Sequence, residues 1–186
     1  YPRRYWFFLG IIFVFTLGNS TDALLLVKAN EAGIKVAFIP LVYLITNTVS
    51  VIAAIPAGSL SDRIGKEKLL VAGFLIYAVV YFFFGLDNSK VMLYMLFALY
   101  GLYSAATDGI QKAFVSDIVH SNRRGTGLGI YNALLGITLL PASLIAGVLY
   151  DRVNSSIPFR FGAAMALLAA LLMVIYMMTG RTARSR

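Results

Sequence analysis

The sequence has no cysteine, a single histidine (His120), and charge on only 13% of its 186 residues. Without cysteine there is no disulfide, no thiolate metal site and no thiol nucleophile, and one histidine cannot build a metal cluster. No metal and no cofactor is therefore expected. His120 has no G-x-S-x-G partner with which to make a hydrolase, and no Walker-type phosphate loop occurs. A T-V-G-Y-G filter and paired Asn-Pro-Ala half-helices are also missing, which argues against a channel. No basic segment followed by a short apolar stretch and a small-residue cleavage site stands at the start. The chain begins at Tyr1 and not at Met, and is expected to be part of a longer protein.

Apolar residues, by contrast, are abundant. They make up 60% of the chain, and mean hydropathy is +0.82, outside the range of an ordinary soluble domain. Runs of about 20 apolar residues, the length that crosses a bilayer, recur between short polar stretches. They predict an all-α membrane protein of six spans at about 5–27, 36–60, 69–86, 91–115, 127–150 and 158–178. The whole chain, 1–186, reads as one domain. The turn after the third span falls near the midpoint, so the spans divide into three plus three. An odd number per unit makes the second unit enter from the opposite side, the inverted-repeat arrangement of many secondary transporters.

The net charge of +8 would suggest nucleic acid in a soluble protein. Here it is set by topology. One side collects Arg3, Arg4, Arg63, Lys66, Lys68, Lys112, Arg123, Arg124, Arg181, Arg184 and Arg186; the other has Lys28, Lys35, Lys90, Arg152 and Arg160. Basic residues accumulate on the cytoplasmic side, so both termini are expected there, in the cell (inner) membrane. The lipid bilayer is the expected partner, and nucleic acid is not.

Three loop stretches stand out. Gly58-Ser59-Leu60-Ser61-Asp62-Arg63-Ile64-Gly65-Lys66 follows the second span. In it Gly58 permits close helix approach, Asp62 can accept from free amides at a helix start, and Gly65 allows a left-handed turn. Asp117 to Gly129, with His120, Arg123 and Arg124, follows the fourth span. Gly147-Val148-Leu149-Tyr150-Asp151, with Pro158-Phe159, brackets the last loop.

The first stretch resembles the G-x-L-x-D-R-x-G-K/R-K/R signature of the major facilitator superfamily, departing from it at Glu67. The second is similar to the D-x-x-P-x-x-x-R-G pattern, with His120 in place of proline. The third is similar to G-x-x-Y/W-D and P-F elements of carboxyl-terminal halves. The resemblance implies half of a twelve-span facilitator fold, spans seven to twelve. An amino-terminal six-span half, or a second copy, would then be the partner. It further implies a secondary transporter that moves a small solute by alternating access, with proton-coupled efflux as one form, and no enzyme activity. A self-standing six-span channel or a homodimeric half-transporter is the alternative. Asp62, Arg63, Asp117 and Arg124 match the family's cytoplasmic conformational latch, with Gly58, Gly65 and Lys66 in its motif loop. In that latch Asp62 would cap a helix of the other half, and Arg63 would join a charge relay with Asp117 and Arg124.

Polar residues inside spans are costly and face a partner or a watery cavity. Tyr100, Ser104, Thr107, Asp108 and Gln111 form a stripe at helical spacing on the fourth span. Asn19 and Asp22 share a face on the first, Tyr43 and Asn47 on the second, and Asn132 lies on the fifth. With a rise of about 1.5 Å per residue, Thr16, Asn47 and Ser104 lie near the midplane, Asp22 near the external end and Asp108 nearer the cytoplasm. The expected substrate cavity comprises Thr16, Asn19, Tyr43, Asn47, Tyr100, Ser104, Asp108, Gln111 and Asn132. Asp108 and Asp22 are the candidates for proton coupling. The aromatic run from Tyr77 to Phe84 is expected to face lipid or the interface.

Overall fold

A computed structural model describes residues 1–19, 22–86 and 89–182, with the side chains of 22, 23 and 180–182 outside the description. It is helical, with no strand among the described residues. In chain order the helices are α1 (Arg3–Gly18), α2 (Asp22–Glu31), α3 (Ile39–Ile64), α4 (Lys66–Phe84), α5 (Lys90–Ile118), α6 (Arg124–Arg152) and α7 (Ile157–Thr182). Two 3-10 turns, Val36–Phe38 and Ser121–Arg123, lead into α3 and α6. Among the described residues five helices are long and apolar enough to cross a membrane, and they contain α3 to α7.

The expected first span is not one continuous helix. It is divided into α1 and α2, and α1 ends at Gly18 with Asn19 as its cap. The sequence there, Gly18-Asn19-Ser20-Thr21-Asp22, strings together residues whose side chains compete with the helical backbone or start a new helix. The Gly18 carbonyl accepts from the Tyr77 hydroxyl at 3.1 Å, a partner from α4.

Close neighbours are α3 with α5, α5 with α4, α4 with α7, α7 with α1, and α1 with α6; α3 also meets α4, and α6 meets both α5 and α7. Small residues set these approaches. At Gly162 a Cβ would stand 2.6 Å from the Gly18 carbonyl oxygen, and at Gly18 one would stand 2.5 Å from Met165 Cβ, so α1 and α7 touch backbone to backbone. Gly73 in the same way makes room on α4 for the Thr107 methyl of α5. Ala163, Ala166, Ala170, Met173 and Tyr176, at helical spacing on α7, are buried against these partners.

The core is aromatic. Phe15 stacks on Phe74 with centroids 4.5 Å apart, and Tyr77 stacks on Tyr81 at 4.0 Å. Tyr77, Tyr81 and Phe84 are fully buried, while Phe82 and Phe83, on the other side of α4, are exposed. The run Tyr77 to Phe84 therefore does not simply face lipid: steps of three and four turn half of it inward. On α3 and α6 the reverse holds, and large apolar side chains such as Ile55 and Leu140 are 82% and 77% exposed. Those two helices present a broad apolar face that no other described residue covers.

Candidate functional site: a polar cavity between α3 and α5

α3 and α5 pack tightly at one level because Gly101 has no side chain; a Cβ there would collide with the Thr46 carbonyl oxygen. The Thr46 hydroxyl lies 3.2 Å from the carbonyl oxygens of both Val42, in its own helix, and Phe97 across the contact. Beside this seam opens a cavity of about 510 Å³, within the size range of small-molecule sites. It is lined by Asn19, Leu26, Val42, Tyr43, Thr46, Asn47, Ser50, Phe97, Tyr100, Tyr103, Ser104, Asp108 and Leu139. Among the described residues, Asp108 is the one charged side chain in that lining.

Hydroxyls lead across the cavity wall to Asp108. Ser50 donates to Ser104 at 3.3 Å, bridging α3 to α5, and Ser104 donates to Asp108 Oδ2 one turn on. Thr107 Oγ1 lies 3.4 Å from Asp108 Oδ1 and 2.9 Å from the Tyr103 carbonyl oxygen. At the helix break the Asn19 amide nitrogen donates to the Tyr103 hydroxyl at 3.4 Å, and its oxygen lies 3.3 Å from the Tyr77 hydroxyl that the Gly18 carbonyl also faces. The break between α1 and α2 is thus tied to α4 and α5 at the cavity's edge.

Of the residues picked out in the sequence, the structure brings together Asn19, Tyr43, Asn47, Tyr100, Ser104 and Asp108. Three others stand apart. Thr16 is buried inside the helix contacts, and Gln111, also buried, accepts a 2.6 Å hydrogen bond from Tyr131 of α6. Asn132 is exposed on the same face of α6 as Leu139, seven residues nearer the helix start. The Asp22 side chain lies outside the described residues. Thr46, Ser50 and Tyr103 were missed. On α3 the spacing 43, 46, 47, 50 is one helical stripe, a signal that was readable before any coordinates.

The loop motif differs from expectation in its details. Asp62 and Arg63 lie in the last turn of α3, not at a helix start, and both are exposed. Gly65 adopts φ +95°, the backbone turn that joins α3 to α4. That turn brings Lys66, not Arg63, to Asp117, with Nζ 2.7 Å from Oδ2. Asp62 and Glu67 add negative charge around the same ammonium. Arg124 Nε donates to the Ser116 carbonyl at 2.8 Å and so clasps the end of α5. Gly58, and likewise Gly125 and Gly129, mediates no close approach: a Cβ on any of them would meet nothing within 4 Å. At the far end of the bundle Tyr150 of α6 donates to Glu31, which also pairs with Lys28 at 3.9 Å.

Compared with known proteins, the chain matches the family model described as Major Facilitator Superfamily over residues 7–186. It is 36% identical over 179 residues to an uncharacterized MFS-type transporter of Methanocaldococcus jannaschii, a match covering 93% of this chain and 45% of that protein. To Multidrug resistance protein 1 of Bacillus subtilis it is 31% identical over 168 residues, covering 90% of this chain and 41% of the relative. Multidrug resistance protein 2 of the same organism is 28% identical over 166 residues, covering 88% and 39%. The chain thus spans less than half the length of each of these relatives.

Proposed function

Since the chain belongs to the major facilitator superfamily, a family of transporters and not of enzymes, we propose that it is one six-span half of a secondary transporter. In this reading it expels a small solute by alternating access, and Asp108 carries the coupling proton. The cavity carries the proposal: one carboxylate, set among tyrosines, hydroxyls and amides, faces a space that could hold a solute of modest size. A carboxylate set among aromatic faces favours a cationic, partly apolar solute, since ring faces attract cations. The names of the two Bacillus subtilis relatives support efflux of drug-like compounds.

The packing order supports three plus three spans, with α1 and α2 together as the first. Exchanging the first, second and third spans for the fourth, fifth and sixth carries the pairs α1 with α6, α1 with α7 and α6 with α7 onto α5 with α3, α5 with α4 and α3 with α4. The two close approaches obey the same exchange: Gly162 on the sixth span receives α1, and Gly73 on the third receives α5. Both termini lie on the cytoplasmic side of the cell membrane, where the basic residues concentrate. The uncovered apolar face of α3 and α6 receives the other six-span half, from the rest of the protein or from a second copy.

Asp62, Arg63, Asp117 and Arg124, with Lys66, Gly58 and Gly65, belong in this reading to a cytoplasmic latch that biases the two access states. Contacts present in one state alone shift such an equilibrium even when each is weak. Counterflow in proteoliposomes tests the transporter reading. A carrier preloaded with a cationic dye transiently accumulates labelled dye against its gradient. A channel, the competing reading, only equilibrates it, and that result would remove the proposal.

A further inference from the structure

A second, separate depression of about 260 Å³ lies between the start of α4 and the end of α7, lined by Lys68, Val71, Val174, Met177 and Met178. It is on the outer surface of two spanning helices and shares no residue with the central cavity. Its walls continue along the bundle as exposed apolar rows, through Leu75 on α4 and Leu171 on α7. One end is therefore capped by an ammonium group, and the rest is a hydrocarbon track.

Among the described residues, the two charges that precede Lys68 on α4 are paired elsewhere. Lys66 is taken by Asp117 at 2.7 Å, and Glu67 pairs with Arg4 at 3.9 Å. Arg4 in turn lies over the Tyr176 ring, 4.8 Å from its centroid. Lys68 is exposed and makes no ion pair among the described residues. An ammonium above an apolar groove, at the level where the headgroups lie, attracts an anion there, and basic pockets between helices recruit acidic lipids in this way.

We infer that this groove binds an anionic glycerophospholipid of the cytoplasmic leaflet, with the phosphate at Lys68 and an acyl chain along Val71, Val174 and the two methionines. The flexible thioethers of Met177 and Met178 suit a chain of variable shape. The inference rests on the orientation proposed above, which puts the start of α4 at the cytoplasmic surface.

The test is native mass spectrometry of the intact protein titrated with phosphatidylglycerol or phosphatidylcholine of matched chains. Phosphatidylglycerol is expected to be retained about fivefold more tightly, the effect of one basic residue near a membrane surface. Lys68→Gln removes the preference, and Arg123→Gln, a charge lost from another exposed loop, leaves it. Val174→Trp fills the groove and weakens retention of both lipids. Equal retention of the two lipids by the unaltered protein, or a preference that survives Lys68→Gln, overturns the inference. Since retention is read without transport, a lipid preference in a protein that fails counterflow would contradict the transporter reading alone.

Discussion

Lys66 Nζ lies 2.7 Å from Asp117 Oδ2, joining the first residue of α4 to the last turn of α5 across 51 positions of sequence. The lysine side chain is 25% exposed and the aspartate 54%, so the pair is a surface contact worth at most about 1 kcal/mol. Its effect is expected in the balance between access states and not in folding. Lys66→Gln and Asp117→Asn should each slow transport by up to about fivefold, the kinetic equivalent of that energy, with little change in Tm. The exchange Lys66→Asp with Asp117→Lys should restore part of the rate. Vesicle uptake measures it; single variants that transport normally would show that the pair only orients its hairpins.

The contact between Gly18 and Gly162 makes a prediction about stability. Gly162→Leu forces a side chain into a space where a Cβ would already stand 2.6 Å from a carbonyl oxygen, and overpacking of this kind costs about 1–3 kcal/mol. A fall in Tm in detergent is expected. Gly10→Ala on the same α1, where a Cβ meets nothing within 4 Å, should leave Tm unchanged or raise it, because alanine suits a helix better.

Tyr131→Phe should be destabilising through Gln111. Removing the hydroxyl leaves a buried amide oxygen without its 2.6 Å donor, a loss of about 1–3 kcal/mol. Adding Gln111→Leu should recover much of it, since an apolar pair of similar shape demands no partner. Thermal unfolding of the single and double variants decides this.

Asp108→Asn is expected to insert normally, to bind a cationic solute more weakly, and to lose the acceleration of efflux by an imposed proton gradient. Ser104→Ala, which removes the hydroxyl donating to that carboxylate, should keep coupling. Transport that follows the proton gradient in Asp108→Asn would remove the carboxylate from the coupling step.

How much of this was readable in the sequence differs from element to element, for physical reasons. The long helices α3 to α7 are legible because an apolar run of bilayer length has one stable form in lipid. The break after Gly18 was hidden, since hydropathy averages over 18–20 residues and the four polar positions from Asn19 to Asp22 sit between strongly apolar flanks. The stripe of Ser104 and Asp108 is legible from its spacing on α5, whereas its pairing with Ser50 joins two helices and depends on how α3 and α5 pack, which spacing within one helix does not specify. Residues named in the loop motif gave the right neighbourhood and the wrong partner. Which of Arg63 and Lys66 reaches Asp117 depends on the backbone turn at Gly65, which spacing alone does not specify. The inward half of the run Tyr77 to Phe84 was missed because composition was read in place of helical phase.

Alternating access requires the cavity between α3 and α5 to open to one side at a time. The chain has no cysteine, so a cysteine placed at Asn47, on the cavity wall, adds no competing thiol within it. Labelling by a membrane-impermeant maleimide, applied from the inside or from the outside of oriented vesicles, reads its accessibility. The account predicts reaction predominantly from one side, a switch of side when the proton gradient is reversed, and protection by a transported dye. Equal reaction from both sides under every gradient, with no protection by dye, would describe a continuous pore and contradict it.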